Sequence, residues 1–239
     1  MTDKSFLPDL RERTTLTVRR FLQAGYHVLL TGGPRMGKTF LCARLLARMP
    51  GLEFMDGRRE PELFFHGTDL DSFTGYLAGK KGPALWVIPT ARYFQLGRPR
   101  LPRTRHVPLI ACMPRDLKKN YPELPDLFDR TLGHPYLIRG VLAGCFEENL
   151  LELKALWRDL LGQFPEAAAM LDDLVKHRAL DPQALYRRAA RQFENPRVHL
   201  DLLCRAGLVT RMLYGEEAGI RVQPASINWP KSASPGSPG

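Results

Sequence analysis

Cysteine is scarce in this chain. The 239 residues include four cysteines that lie far apart, namely Cys42, Cys112, Cys145 and Cys204. No two of them form a C-x-x-C pair, and none has a histidine at zinc spacing. The pattern therefore disfavours a metal site built from cysteine, and we expect reduced thiols within a core.

Long hydrophobic runs are also lacking. No apolar stretch approaches the ~18 residues that cross a membrane. Residues 1–30 lack the basic region, apolar core and small-residue cleavage site that together mark a signal peptide. We therefore expect a soluble, cytoplasmic protein.

Acidic residues are in the minority. The chain has 25 Asp and Glu against 35 Lys and Arg, which gives a net charge of +10 and a pI near 9.7. This excess favours an acidic partner, and nucleic acid, an acidic protein surface or a membrane surface would all satisfy it. Charge alone does not choose among them.

The most informative stretch is residues 32–39, here called the phosphate loop. Gly32, Gly37, Lys38 and Thr39 satisfy the Walker A pattern G-x-x-x-x-G-K-[ST], whose backbone N–H groups surround phosphates while the hydroxyl ligates Mg²⁺. An apolar run precedes the loop and helical spacing follows it, so a strand and a helix are expected on either side. An incidental glycine turn is the alternative. The residues expected to bind nucleotide here are Gly32, Gly33, Pro34, Arg35, Met36, Gly37, Lys38, Thr39 and Phe40.

Carboxylates that could complete a catalytic centre are few. A second strand is expected over residues 52–55, and Asp56 at its end could join Thr39 at the metal, although an Asp before Gly also simply forms a turn. The third predicted strand, residues 84–88, is followed by Pro89 and Thr90, where hydrolysing P-loop enzymes usually carry acids. The sequence therefore predicts slow or absent hydrolysis.

The most basic stretch is residues 92–106, here called the basic segment. Its arginines and aromatic residues suit phosphates and stacked bases, an acidic protein groove, or simply a solvated loop. A fourth strand is predicted over residues 107–113, with Pro108 near its start outside the ladder. Arg115 follows that strand, where a fixed cation could sense a γ-phosphate.

The remaining elements are predicted to be mostly helical. An amphipathic helix over residues 9–24 precedes the first strand, with Arg11, Arg13, Arg19 and Arg20 exposed, and a helix capped by Thr68 precedes the third. Four helices are predicted over residues 135–147, 150–164, 165–177 and 182–193. A short helix from Arg197 to a stop at Gly207 and strands over residues 208–212 and 220–223 favour a C-terminal winged helix.

With these residues placed, the chain resembles the STAND and origin-recognition-like ATPases of the AAA+ superclass, with a degenerate Walker B position. The resemblance depends on the phosphate loop, Asp56, Arg115 at the sensor-1 position, and Gly133-His134-Pro135, which is similar to the G-x-P motif that opens the helical lid. It implies that Pro135 packs near adenine and that His134 lies near the phosphates. A Gly-Pro helix start is the alternative explanation.

The expected fold is an α/β P-loop NTPase core with a parallel sheet (residues 1–130), a helical lid (131–180), a winged helix (181–230) and a polar tail (231–239). The expected function is that of a switch or assembly subunit that binds ATP or ADP with Mg²⁺. It would engage an acidic protein or DNA, not a membrane, through the basic segment and winged helix, and could join an oligomer or hetero-assembly. An ATP-dependent DNA-binding regulator and a small-molecule kinase are the alternatives.

Overall fold

The computed structural model describes residues 11–49, 64–65, 69–79, 82–176, 182–212 and 219–222. Its elements are α1 Glu12–Gln23, β1 His27–Gly32, α2 Lys38–Arg48, β2 Phe64–Phe65, α3 Leu70–Ala78, β3 Leu85–Pro89, α4 Thr90–Gln95, β4 Thr104–Leu109, α5 Pro114–Asn120, α6 Leu127–Thr131, α7 Pro135–Ala143, α8 Phe146–Gly162, α9 Pro165–Lys176, α10 Pro182–Gln192, α11 Pro196–Ala206, β5 Val209–Met212 and β6 Gly219–Val222.

The first half of the chain builds a parallel sheet in the order β2-β3-β1-β4. β1 lies between β3 and β4, and Gly32 at its end is level with Pro89 on one side and Leu109 on the other. The carboxyl ends of three strands therefore meet where the phosphate loop begins, which is the edge at which open α/β sheets bind ligands. This arrangement is compatible with a P-loop NTPase-like core.

Helices cover both faces of the sheet because side chains alternate along each strand. Val28 and Leu30 pack with residues of α1 and α2 on one face. Leu29 points the other way, into a cluster with Phe73 of α3 and Tyr93 of α4. Two-sided coverage explains why β1 is a nearly continuous apolar run.

The fourth strand differs from its prediction. It begins at Thr104 and ends at Leu109, and Pro108 lies inside the ladder opposite Thr31 of β1. Within the described residues β4 pairs only with β1, and an edge strand tolerates a proline whose missing N–H would face outward. The predicted basic segment is correspondingly divided into α4, a loop and the start of β4.

Two further predictions need correction. The amphipathic pattern placed Arg11 among the exposed arginines, yet its side chain is buried at the N-cap of α1, while Leu16 of that helix is exposed. The helix α3 is capped by Asp69, whose carboxylate accepts from the Ser72 N–H at 2.7 Å. The predicted cap Thr68 and the strand over residues 52–55 lie outside the described residues.

The second half is helical, as predicted, and α7 to α11 share one hydrophobic cluster with β5. α7 ends earlier than predicted because Gly144 adopts a left-handed conformation. The short helices α5 and α6 were not predicted. Because the cluster runs through residues on both sides of position 180, the boundary between lid and C-terminal module stays a prediction. No helix in the described ranges has the length and apolar character that crossing a bilayer needs.

A two-stranded antiparallel hairpin, β5 and β6, follows α11, but the winged-helix arrangement stays a prediction. The side chains of α11 that would read DNA do not share a free face. His199 contacts Glu166 at 2.7 Å, and Arg205 is paired with Asp201. Arg197 is exposed.

Gly133 joins the end of the sheet to the helical half through close backbone contact. Its carbonyl accepts from the Cys112 N–H at 2.8 Å. Its φ is +74°, and a Cβ there would lie 2.9 Å from the Cys112 carbonyl carbon and closer still to the oxygen. The start of α7 is thereby held at the strand edge where the phosphate loop lies.

We expect Gly133→Ala to lower the free energy of unfolding by about 3 kcal/mol or more, since the left-handed strain adds to a backbone collision. Gly144→Ala is the matched control, because φ is +73° there but no atom lies within 4 Å of an added Cβ. That variant should lose about 1 kcal/mol. Urea unfolding of both variants measures the difference in the free energy of unfolding. Equal losses in the two variants would contradict the close backbone contact at Gly133.

Candidate functional site

The phosphate loop turns the chain from β1 into α2 through two left-handed residues. Arg35 has φ +54° and Gly37 has φ +86°, and Gly37 is the N-cap of α2. The first N–H groups of a helix have no intrahelical acceptor. Among the described residues, no acceptor is recorded for the N–H groups of Gly37, Lys38, Thr39 or Phe40. These donors and the helix dipole suit an anion at the sheet edge.

Lys38 folds back over the loop. Its ammonium donates to the carbonyl oxygens of Gly32 and Gly33, both at 2.9 Å. Burial lowers the pKa of Lys38 to about 8. A phosphate oxygen is a stronger acceptor than a neutral carbonyl, so an anion here would draw the ammonium out of the loop and favour its charged form.

The first half of the loop packs on the end of α11. The Gly33 N–H donates to the Arg205 carbonyl at 3.1 Å. A Cβ on Gly33 would lie 2.7 Å from both the Ala206 Cα and the Arg205 oxygen, so only glycine allows this approach. The Trp157 indole of α8 donates to the Ala206 carbonyl at 2.9 Å and so holds α11 from the other side.

His134 lies at the same junction and is completely buried. Its Nδ1 accepts from the Tyr136 N–H at 3.3 Å, and its ring packs edge-on against Trp157. The Pro34 backbone lies near the ring, and Nε2 has no hydrogen-bond partner within the described chain. Burial, assisted by the Arg11 charge, lowers the pKa of His134 to about 3, so the imidazole is neutral at physiological pH.

Arg11 supports the loop from beneath. Its guanidinium donates to the Met36 carbonyl at 3.0 Å and to the Ile110 carbonyl at 2.8 Å. These bonds tie the loop to the chain just beyond β4. Burial lowers the pKa of Arg11, yet an arginine at such a site keeps its charge because its ordinary value is so high. The charge therefore contributes to the positive potential beneath the loop.

Arg35 connects the tip of the loop to helices α7 and α8. Its side chain pairs with Glu152 of α8, and the Tyr136 hydroxyl of α7 donates to the same carboxylate. The guanidinium also lies 5.4 Å from the centre of the Tyr136 ring. Hydrogen bonds from Tyr136 and Arg35 lower the pKa of Glu152, so this carboxylate is charged where it holds the loop.

Of the other predicted site residues, some lie beside the phosphate loop and some do not. Pro135 is buried at the start of α7 behind His134, and Thr39 is exposed and Phe40 half-buried in the first turn of α2. Arg115 does not join them. It is 71% exposed, and its one recorded ion pair in the described ranges is a 3.9 Å contact with Asp116. Asp56 lies outside the described residues, so its predicted metal role stays a prediction.

Thr90 occupies the position after β3 where hydrolysing P-loop enzymes usually carry an acid. It follows Pro89, which is level with Gly32, and it is buried. Its hydroxyl has no hydrogen-bond partner in the described part of the chain. An orphaned buried hydroxyl costs stability and fits a polar group that arrives with a ligand.

Sequence patterns missed four residues of this site. The helical pattern predicts Arg11 to be exposed, and no pattern gives Tyr136 or Trp157 a role at the phosphate loop. Glu152 contacts Arg35 across 117 positions of sequence, and no local pattern marks such a pair. The Gly-His-Pro motif was the one signal that linked the second half of the chain to the loop.

No family model matches this chain, and no curated protein matches it. Among solved structures it is similar to the Signal Transduction ATPase with Numerous Domains (STAND) protein with a tetratricopeptide repeat sensor from Pyrococcus horikoshii. Identity is 16% and the TM-score is 0.34, over 92% of this chain and 42% of that protein. The chain thus spans under half of that protein's length, and likeness at this level assigns it no activity.

Anion binding at the loop should depend on the charge of Lys38. Without ligand its pKa is about 8, so at higher pH the amine must take up a proton before it can pair with a phosphate. We expect ATP affinity to be steady below pH 8 and to fall up to about tenfold per unit above it.

Calorimetry between pH 7 and pH 10 measures this dependence. Lys38→Arg is the matched control, because its charge does not titrate in this range. Its affinity should therefore be nearly constant. An identical fall in both proteins would assign the dependence to another group.

Proposed function

We propose that the chain is a STAND-like ATPase-fold protein of the AAA+ superclass that binds ATP or ADP at the phosphate loop and works as a nucleotide-dependent switch or assembly subunit. Backbone donors of the loop and the Lys38 ammonium would hold the phosphates, and Thr39 would share Mg²⁺ with them. One observation carries the proposal: α7, α8 and α11 all contact the same few loop residues, Gly33 to Met36.

Nucleotide binding would affect the helical half of the chain through those contacts. Phosphate draws Lys38 away from the Gly32 and Gly33 carbonyls and competes with Glu152 for Arg35. The second step breaks the ion pair that holds the loop to α8. The first step changes the bonds within the loop at Gly33, whose N–H is bonded to α11. A ligand shifts a conformational equilibrium only through its different affinity for the two states, and these displaced bonds are the source of that difference.

The proposed switch hydrolyses ATP slowly. Phosphoryl transfer depends on positioned charge around the metal and the attacking water. Thr90 offers a neutral hydroxyl beside the loop in place of a carboxylate. Pro135 would pack near the adenine, and the neutral His134 would lie behind the phosphates without supplying an acid or a base.

We favour an acidic protein over DNA as the partner. An ATP-dependent DNA-binding regulator would need α11 to present basic side chains together. His199 and Arg205 instead have acidic neighbours within the fold. Arg103 and Arg105 of the basic segment are exposed, and they suit an acidic protein surface.

Binding and turnover can be separated with one variant. Wild type should bind ATP·Mg²⁺ and release phosphate below about one per minute, since lost charge at the metal costs several orders of magnitude in rate. Lys38→Ala should abolish measurable binding while the fold survives. Equal affinity of the two proteins by calorimetry would refute the site, and a rate near one per second that Lys38→Ala abolishes would refute slow hydrolysis.

The link from loop to lid can be tested at Glu152. Removing its carboxylate frees Arg35 for the phosphates, so Glu152→Ala should raise ATP affinity about two- to fivefold, the worth of an exposed ion pair. Glu148→Ala, one turn earlier on the exposed side of α8, is the charge-matched control. A gain in both variants would indicate a general charge effect, and a loss in Glu152→Ala would contradict the competition.

A further inference from the structure

A cavity lies on the sheet face, outside the phosphate loop. It occupies about 680 Å³ between the sheet face, the loop after α4 and one side of α11. Its polar lining residues include Tyr93, Arg98, Arg100, His106, Asp201 and Arg205. Leu29 at its floor precedes Gly32 in β1 by three residues, or roughly 10 Å of strand. The cavity therefore opens on a sheet face and not on the edge that holds the phosphate loop.

The lining carries unbalanced positive charge. Arg98, Arg100 and Arg205 face a single acid, Asp201. Asp201 is already committed, since it makes a two-point ion pair with Arg205 at 2.9 Å. Burial and the Arg205 charge lower the pKa of His106 to about 4, so the ring adds no charge at neutral pH. Two of the three arginine charges therefore have no acidic counterpart in the cavity lining.

The guanidinium of Arg205 is held rigidly at the inner wall. Its side chain is only 14% exposed. It packs over the Tyr93 ring at 5.4 Å and donates to His106 Nε2 at 3.0 Å, and that ring in turn contacts the Thr31 hydroxyl at 2.8 Å. Positioning of this kind lowers the cost of ordering a side chain when a ligand binds.

The opposite wall is also fixed before any ligand arrives. The Gly97 N–H donates to the Phe94 carbonyl and the Arg98 N–H to the Tyr93 carbonyl, both at 3.0 Å, which is the Schellman pattern that ends a helix. Arg98 itself has φ +59°. Pro99 and Pro102 stiffen the loop further. The chain thus holds Arg98 in an unfavourable conformation on the rim of the cavity.

We propose that this cavity binds a small organic dianion, either a dicarboxylate or a phosphate monoester, between Arg98 and Arg100 on one side and Arg205 on the other. Two negative charges match the two uncompensated arginines, and the Tyr93 ring offers an apolar face to the carbon skeleton. None of the residues that line the cavity belongs to the phosphate loop, so the ligand does not need bound nucleotide.

A polyanion such as DNA fits less well. Arg205 lies at the inner wall of a concave site, where a duplex backbone does not reach. A polyanion would also use Arg103 and Arg105, which are exposed on the same segment. Those two point elsewhere: Arg103 donates to the Gly25 carbonyl at 3.3 Å, and Arg105 packs 4.4 Å from the Tyr26 ring centre.

The test uses the full chain carrying Lys38→Ala, so that the phosphate loop does not contribute to binding of the probe. The result at the cavity can then be told apart from success or failure of nucleotide binding at the loop. Succinate and glycerol 3-phosphate are titrated separately by calorimetry at pH 7.5. We expect saturable binding of at least one probe at one site per chain. The probe that binds more tightly distinguishes a carboxylate ligand from a phosphate ligand.

Two double variants then locate the site. Arg98→Ala with Arg100→Ala should weaken binding at least about tenfold, the effect of losing charge-assisted bonds. Arg103→Ala with Arg105→Ala removes the same charge from the same segment and should change affinity less than about twofold. Equal weakening in both double variants, no saturable binding of either probe, or displacement of the bound probe from the Lys38→Ala parent by duplex DNA would overturn the proposal.

Discussion

The phosphate loop and the end of α11 meet through backbone atoms, and much of the molecule is arranged around that contact. Gly33 donates to the Arg205 carbonyl, and the missing side chain at position 33 is what allows the approach. Trp157 of α8 holds the same turn of α11 from the other side, and the His134 ring packs against Trp157 at the start of α7. A backbone contact has no long side chain that can adjust, so a shift of the loop must move α11 or break the bond.

Local patterns predicted the framework well. The apolar run before Gly32, the glycine loop and the helical spacing after Lys38 agree with β1, the loop and α2 because each depends on near neighbours in sequence. The helices of the second half agree for the same reason. Short elements are harder to predict from sequence. The helices α5 and α6 have too few turns to show a helical period. The bounds predicted for β4 are wrong because an edge strand tolerates Pro108 inside the ladder.

The candidate site was predictable only in part. The loop residues follow from a contiguous pattern, and His134 followed from a motif that placed it near them. Arg11 and Arg205 act through largely buried contacts between distant parts of the chain, whereas charged side chains are most often solvated, so no local pattern marks them. Glu152 is partly exposed, and its contact with Arg35 is equally distant in sequence. Burial of a polar side chain is a property of the assembled fold, so hydropathy patterns misassign those residues that serve the site.

Pro108 affects whether a strand from another protein chain can pair with the edge of the sheet. A sheet edge presents N–H and C=O groups that can recruit a further strand, and proline on the edge interrupts such a template. β4 is six residues long, and Pro108 lies next to its last residue, close to the end that borders the phosphate loop. In the described part of the chain β4 has no strand on its outer side, and Pro108 interrupts that side as a template for strand addition where it borders the loop.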